Sequence, residues 1–99
     1  MSKIKNIITD EEGVPVLENR LGCRLIPYRE GNHYGLGSFF LDGKRLGGMV
    51  TSFAVEETVG KTYKASEYEI VENSPERGIV RFSGVDGKLE FSVNITLLN

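Results

Sequence analysis

The residues that could bind or transform a ligand are concentrated in one segment, residues 24–45. This segment mixes guanidinium groups, carboxylates, aromatic rings and the only histidine of the chain. Its polar and aromatic members are Arg24, Tyr28, Arg29, Glu30, Asn32, His33, Tyr34, Phe39, Phe40, Asp42, Lys44 and Arg45. Saccharide sites use such a mixture, because rings stack on the apolar face of a sugar while polar groups hydrogen-bond its hydroxyls. The segment is therefore the best candidate for a binding region.

Within this segment, residues 29–35 are rich in residue types that tolerate turn geometry, and they predict a loop. Loops on a rigid β scaffold often carry binding residues. We predict that the ligand-binding residues are Arg29, Glu30, His33 and Tyr34.

A structural interpretation competes with this one, and we favour it for any single residue taken alone. Tyr28 and either Phe39 or Phe40 would then belong to the core. The charged residues Arg29, Glu30 and Arg45 would decorate the surface.

Catalysis has little support in the sequence. One histidine and one cysteine, Cys23, exclude most nucleophilic triads and any cluster of Cys and His suited to zinc. An enzyme would need a second acid or base near His33, and Glu30 or Asp42 could serve if the fold brought one of them close. We assign no catalytic residue, metal or cofactor, and we expect the isolated chain not to be an enzyme.

The composition describes an ordinary globular domain. The chain has 99 residues, with 12 Lys plus Arg against 14 Asp plus Glu, for a formal net charge of −2. This length fits a single domain spanning residues 1–99, and the charge lacks the basic excess of a nucleic-acid-binding protein. The first residues show no apolar stretch like that of a signal peptide, and no run is long enough for a membrane span. We therefore expect a cytoplasmic protein without a nucleic-acid or membrane partner.

The pattern along the chain predicts an all-β fold. Twelve glycines separate short apolar runs, and residues 87–98 alternate apolar and polar side chains with the period of a strand. We predict an antiparallel β-sandwich of seven to nine short strands that ends in a three-strand meander. The predicted strands are residues 3–9, 14–18, 21–27, 36–41, 44–46, 49–59, 62–72, 77–83 and 87–98. The predicted turns are residues 10–13, 42–43, 73–76 and 86–87, and the Gly47-Gly48 pair is expected to break the chain.

Two parts of the sequence resemble galactose-mutarotase-like β-supersandwich domains. The run Leu-Glu-Asn-Arg-Leu-Gly-Cys-Arg-Leu-Ile-Pro at residues 17–27 resembles their opening "N-x-x-L" strand and the following strand that ends near a proline. Residues 68–72, 77–83 and 88–97 resemble their three-strand meander. The resemblance implies the N-terminal part of a carbohydrate-active enzyme, such as a glycoside hydrolase or a polysaccharide lyase. It transfers no catalytic residue, because those of the family fall mostly outside the matched part.

Two hypotheses about function follow. In the first, the chain is a carbohydrate-associated β-sandwich module that binds saccharide or packs on a catalytic domain. In the second, it is a structural module that forms homo-oligomers or pairs with a partner chain through exposed strand edges, with Leu97 and Leu98 at the interface. Because the apolar run 89–98 continues almost to Asn99, we also expect the chain to be a fragment or a single module of a longer protein.

Overall fold

The fold consists of two antiparallel sheets. The computed structural model describes residues 5–54, 62–86 and 88–99. The first sheet is a meander in chain order: β1 (Ile8–Glu11), β2 (Val14–Glu18), β3 (Cys23–Glu30), β4 (His33–Leu41) and β5 (Lys44–Val50). A short pair follows, β6 (Phe53–Ala54) with β7 (Thr62–Tyr63). The second sheet contains β8 (Glu67–Asn73), β9 (Arg77–Asp86) and β10 (Leu89–Leu98), with β9 at its centre.

These elements confirm the predicted all-β, antiparallel, sandwich-like fold and its C-terminal three-strand meander. Apart from the two-residue strands β6 and β7, every strand has four residues or more. Among the described residues, we find no helix with the length and apolar character needed to cross a membrane.

The predicted turn at Asp42-Gly43 joins β4 to β5. Both residues have positive φ, 50° and 82°, as a two-residue type I′ turn requires. Glu12 and Gly13, with φ of 53° and 83°, connect β1 to β2 in the same way. The turn predicted at residues 10–13 is therefore shorter than expected, because β1 extends through Asp10 and Glu11.

The prediction of a loop at residues 29–35 is wrong. Strands β3 and β4 continue through it, with Arg29 opposite Tyr34 and Glu30 opposite His33. Two residues, Gly31 and Asn32, make the whole connection. The glycines misled the prediction because Gly35 lies inside β4, where the nearby backbone of Thr51 leaves no room for a Cβ.

Other boundaries also differ from the prediction, since β1 begins at Ile8, β3 begins at Cys23 and β9 continues to Asp86. Gly47 (φ 72°) does not end its strand, because β5 continues past a register shift to Val50. The strand predicted at 62–72 is split into β7 and β8 around Ala65, whose N–H and C=O both bond to the backbone of Tyr34. Three predicted features fall partly outside the described residues: residues 3–4 of the strand predicted at 3–9, residues 55–59 of the strand predicted at 49–59, and Gly87 of the last predicted turn.

An aromatic cluster occupies the centre of the core. Phe82 of β9 is fully buried, and its ring contacts those of Tyr34, Phe53 and Tyr68 at centroid distances between 5.4 and 6.1 Å. The alternation predicted for the last strand is confirmed, since Phe91 is buried and the other inward side chains pack against the core. These are Leu89, Val93, Ile95 and Leu97. The intervening polar residues of β10 are exposed.

One asparagine connects the two sheets. The side chain of Asn73, at the end of β8, accepts a hydrogen bond from the Ile8 N–H and donates one to the Ile8 carbonyl, both at 2.9 Å. It thus substitutes for a neighbouring strand at the outer edge of β1. The Ile7 N–H continues this contact by donating to the Ser74 carbonyl at 3.0 Å. These bonds therefore satisfy the Ile7 N–H and both backbone polar groups of Ile8 at this edge of the sheet.

Candidate functional site

The four predicted ligand-binding residues are divided between the two faces of the first sheet. Arg29 and Tyr34 are cross-strand partners, and so are Glu30 and His33. Because successive residues of a strand point to opposite faces, the first pair lies on one face and the second pair on the other. The structure therefore brings these residues together as two pairs and not as one site.

Arg29 and Tyr34 lie on the core face. The Tyr34 side chain is buried and donates from its hydroxyl to the Gly13 carbonyl at 3.2 Å. Arg29 donates from Nη1 to the Glu12 carbonyl at 2.8 Å and from Nε to the Gly31 carbonyl at 3.1 Å. Its guanidinium carbon also lies 5.9 Å from the centroid of the Tyr34 ring. These contacts hold the β1–β2 turn against the β3–β4 hairpin.

Tyr68 of the second sheet completes this inner cluster. Its ring meets that of Tyr34 edge-on at 5.2 Å, and its hydroxyl donates to Asp10 Oδ2 at 2.9 Å. Burial raises the pKa of Tyr68 to about 12, and the hydrogen bond to the Asp10 carboxylate adds to this effect. The neutral phenol is therefore the form that the fold favours.

Glu30 and His33 lie on the outer face, where Tyr28 and Lys64 join them. The Tyr28 hydroxyl donates to Glu30 Oε2 at 2.6 Å. Lys64 Nζ lies 3.5 Å from the same oxygen and 5.8 Å from the centroid of the Tyr28 ring. The sequence prediction included neither Tyr28 nor Lys64 in this site, although the i, i+2 spacing of Tyr28 and Glu30 on a strand could have indicated the first.

The charges and hydrogen bonds of the outer cluster disfavour acid–base chemistry at Glu30. The hydrogen bond from Tyr28 lowers the pKa of the Glu30 carboxyl, and the Lys64 charge lowers it further, with a smaller effect from His33. The same bond raises the pKa of the Tyr28 hydroxyl. Glu30 is thus a weaker base than an ordinary glutamate, although it is the carboxylate opposite His33. Asp42 follows the far end of β4, roughly 30 Å from His33 at the usual rise per strand residue.

A metal site has no support in the described residues, which contain no group of three or more His, Cys, Asp or Glu side chains placed to share an ion.

A second surface, on β4 and β5, was not predicted. Residues 36–41 are apolar on both faces, a pattern that is typical of a central strand. β4 does lie between β3 and β5, yet Leu36, Phe39 and Leu41 are more than one third exposed. All seven residues of β5 are exposed as well. The pair Gly47-Gly48, unusual inside a strand, was the available sequence signal for an edge.

A row of side chains across the first sheet shows how this surface arises. Ile8, Leu17, Leu25, Phe39 and Leu46 are successive cross-strand partners from β1 to β5. Their exposed fractions are 4%, 0%, 6%, 38% and 49%. The first three belong to the core that includes Val80, Phe82 and Phe91 of the second sheet. Along this row the buried part therefore ends at β3, although Tyr34 at the start of β4 belongs to the core, and the row continues uncovered at Phe39 and Leu46.

Comparison of the chain with models of protein families, with curated proteins and with solved structures found no match. The predicted relationship to galactose-mutarotase-like domains stays a prediction.

Proposed function

We propose that this domain is a structural assembly module that pairs with a second copy of itself through the outer edge of β5. The observation that carries the proposal is the uncovered end of the apolar row, at Phe39 and Leu46, beside an edge strand that is exposed along its whole length. Exposed apolar patches mark interaction sites, and an unpaired strand edge is a template for another strand.

The edge of β5 is available for pairing. β5 bonds to β4 on one side, and its other side has no strand partner in the part of the chain that the structure describes. A strand added there would satisfy backbone groups that otherwise face water, and it would extend the row beyond Leu46. Gly48 has no side chain, and the space that a Cβ would occupy is open, so a second backbone can approach closely there.

Charge favours an antiparallel arrangement about a twofold axis. β5 carries Lys44 and Arg45 at its first end and no acidic residue. Antiparallel self-pairing places these cations at opposite ends of the shared edge, about 20 Å from their copies. That distance exceeds the screening length of about 8 Å at physiological salt. Parallel pairing would instead stack the cations on one another.

The exposed apolar area on β4 and β5 sets an upper limit for the interface. Six large apolar residues on β4 and β5 are between 37% and 53% exposed. They are Leu36, Phe39, Leu41, Leu46, Met49 and Val50. If a large side chain exposes roughly 200 Å² when free, these six expose about 500 Å² per copy. If pairing covered all of this area, two copies would bury about 1,000 Å², which is the lower limit for a specific interface and corresponds to a weak dimer.

Light scattering after size exclusion, over a wide range of protein concentration, tests the proposal. We expect a monomer–dimer equilibrium that Leu46→Lys shifts to monomer, because a charge at the junction of the two copies would lose its water. Leu98→Lys is the matched control, since Leu98 is a similarly exposed leucine on the edge strand β10. This control should dimerise normally.

Two results would overturn the proposal. A monomer at every concentration would mean that Lys44 and the irregularity at Gly47 keep this edge unpaired, as such devices do in other sheets. Dissociation by Leu98→Lys but not by Leu46→Lys would move the interface to β10. There Leu98 is exposed, whereas Leu97 packs on the core and is unsuited to mutational tests of assembly.

The outer-face cluster supports saccharide binding as a second candidate function. The partly exposed Tyr28 ring, with Glu30, His33 and Lys64 beside it, offers a stacking surface bordered by hydrogen-bonding groups. A thermal-shift screen of neutral sugars should find a ligand whose stabilising effect Tyr28→Ala abolishes and Arg45→Ala, at the far end of the β4–β5 hairpin, preserves. A ligand that binds both variants equally well would rule out this cluster as its site.

A further inference from the structure

A cleft on the outer face of β1–β3 contains Arg24, whose Nε has no hydrogen-bond partner in the part of the chain that the structure describes. The cleft has a volume of about 510 Å³ and borders Lys5, Glu11, Val16, Glu18, Arg20 and Arg24. This volume falls within the usual range of ligand pockets. Val16, only 4% exposed, provides an apolar floor. The cleft is separate from both surfaces considered above.

The strand register explains why these side chains converge. Thr9 lies opposite Val16, Glu11 opposite Val14 and Glu18 opposite Arg24. Alternation along β1 and β2 places Glu11, Val16 and Glu18 on the same face, with Arg24 beside them on β3. Lys5, before β1, and Arg20, after β2, border the cleft from outside the strands.

Arg24 is held between two carboxylates without a hydrogen bond to either. Its Nη2 lies 4.0 Å from Glu11 Oε2, and its Nε lies 3.8 Å from Glu18 Oε2. The buried Nε has no hydrogen-bond partner among the described residues, although the side chain as a whole is 41% exposed. The two carboxylates therefore position the guanidinium group, and the exposed part of the Arg24 side chain can donate to an acceptor that enters the cleft.

We propose that this cleft binds a small carboxylic acid that carries hydroxyl groups. A guanidinium group matches a planar carboxylate with two parallel hydrogen bonds. Glu11 and Glu18 accept hydrogen bonds from the ligand's hydroxyls, and Val16 contacts its carbon skeleton. Lys5, Arg20 and Arg24 against two glutamates leave one net positive charge, which suits a monoanion. A phosphate dianion carries more charge than the cleft neutralises, and both glutamates repel it more strongly than they repel a monoanion.

Amide resonances in a two-dimensional NMR titration provide the test, with D-glucuronate as the probe. D-glucose and inorganic phosphate at equal ionic strength are the comparison ligands. We expect saturable shifts at Thr9, Glu18 and Arg24 with glucuronate, no saturation with glucose, and weaker binding of phosphate. Because binding is read at residues of β1–β3, the result does not depend on dimer formation at β5.

Three variants make the test specific. Arg24→Gln should weaken glucuronate binding by about tenfold or more, the effect of losing a charged hydrogen bond. Arg81→Gln is the matched control, because Arg81 lies on the second sheet and donates to Asn94. Glu18→Gln should strengthen phosphate binding by removing a repulsive charge.

Equal shifts with glucose and glucuronate, or undiminished binding by Arg24→Gln, would overturn the proposed site. Phosphate that binds the unaltered protein as tightly as glucuronate would overturn the proposed ligand class. The spectrum of each variant without ligand reports whether it is folded. If Arg24→Gln is unfolded, Arg20→Gln at the cleft border replaces it, with a smaller expected loss of affinity. Unchanged affinity in that variant would also count against the site.

Discussion

Asn73 illustrates how much a single side chain contributes when it replaces a strand. Its amide both accepts from and donates to the backbone of Ile8, a role that needs an acceptor and a donor on the same group. Asn94 has a simpler role, since its Oδ1 accepts a hydrogen bond from Arg81 Nε. The two asparagines therefore respond differently to the same substitution.

We predict that Asn73→Asp destabilises the fold by about 1–3 kcal/mol, because the Ile8 carbonyl loses its donor and faces a second acceptor. Asn94→Asp should be nearly neutral, since a carboxylate still accepts from Arg81. Urea denaturation of both variants measures the difference. Equal losses of stability would show that Asn73 does not support the β1 edge in the way described.

Tyr68 makes stability depend on alkaline pH. Its pKa is raised to about 12 in the folded protein, above the value of about 10 for an unperturbed tyrosine. The folded state therefore binds more protons than the unfolded state between these values. The stabilising contribution is fully present below pH of about 10 and is lost as the pH rises toward 12.

We predict that the thermal midpoint falls as the pH is raised from 9 through about 11, and that Tyr68→Phe makes this fall shallower. The variant is less stable at neutral pH, because Asp10 loses the hydroxyl that donates to it. Circular dichroism melts over this pH range provide the measurement. An unchanged slope in Tyr68→Phe would assign the alkaline loss to other groups.

At the scale of the elements, the β4–β5 hairpin depends on its turn. Gly43 has a φ of 82°, whereas the φ of Gly48 is not positive. A Cβ added at either glycine would have no neighbouring atom within 4 Å. Because a side chain would meet no steric overlap at either position, comparing the two glycines isolates the effect of backbone strain.

Gly43→Ala should cost about 1–2 kcal/mol, the strain of an L-residue in a left-handed conformation. Gly48→Ala should be neutral or stabilising by up to about 1 kcal/mol, because alanine restricts the unfolded chain. Both are compared by denaturation at low protein concentration, where pairing through β5 contributes least. A larger cost at Gly48 would contradict the assigned conformation of this hairpin.

At the scale of the whole molecule, stability comes from the part of the sandwich where two layers face each other. Phe82 lies there with no exposed surface, while Phe39, on the uncovered end of the first sheet, is 38% exposed. Both are phenylalanines on strands, so they differ mainly in what covers them.

Phe82→Ala should cost about 3–5 kcal/mol, and Phe39→Ala about 1 kcal/mol or less. Chemical denaturation of the monomer measures both. If Phe82→Ala does not fold, Phe82→Leu gives a smaller loss that can still be compared with Phe39→Leu. Comparable costs at the two positions would mean that β4 and β5 are covered as fully as β1–β3.

The sequence by itself determined the features that depend on neighbouring residues. The alternation in residues 89–98 determined which side chains of β10 face the core, because a strand repeats every two residues. Asp42-Gly43 determined a tight turn, because this dipeptide suits positive φ at both positions. These local signals account for the correct fold class and the C-terminal meander.

Only the tertiary structure decided which faces are covered and which residues meet. Residues 29–35 and the apolar run 36–41 are locally compatible with a loop and a buried strand. Strand pairing instead separated Arg29 and Tyr34 from Glu30 and His33. The narrower second sheet left Phe39 and Leu46 exposed. Register and layer width arise from contacts between residues distant in sequence, so no short stretch of the chain specifies them.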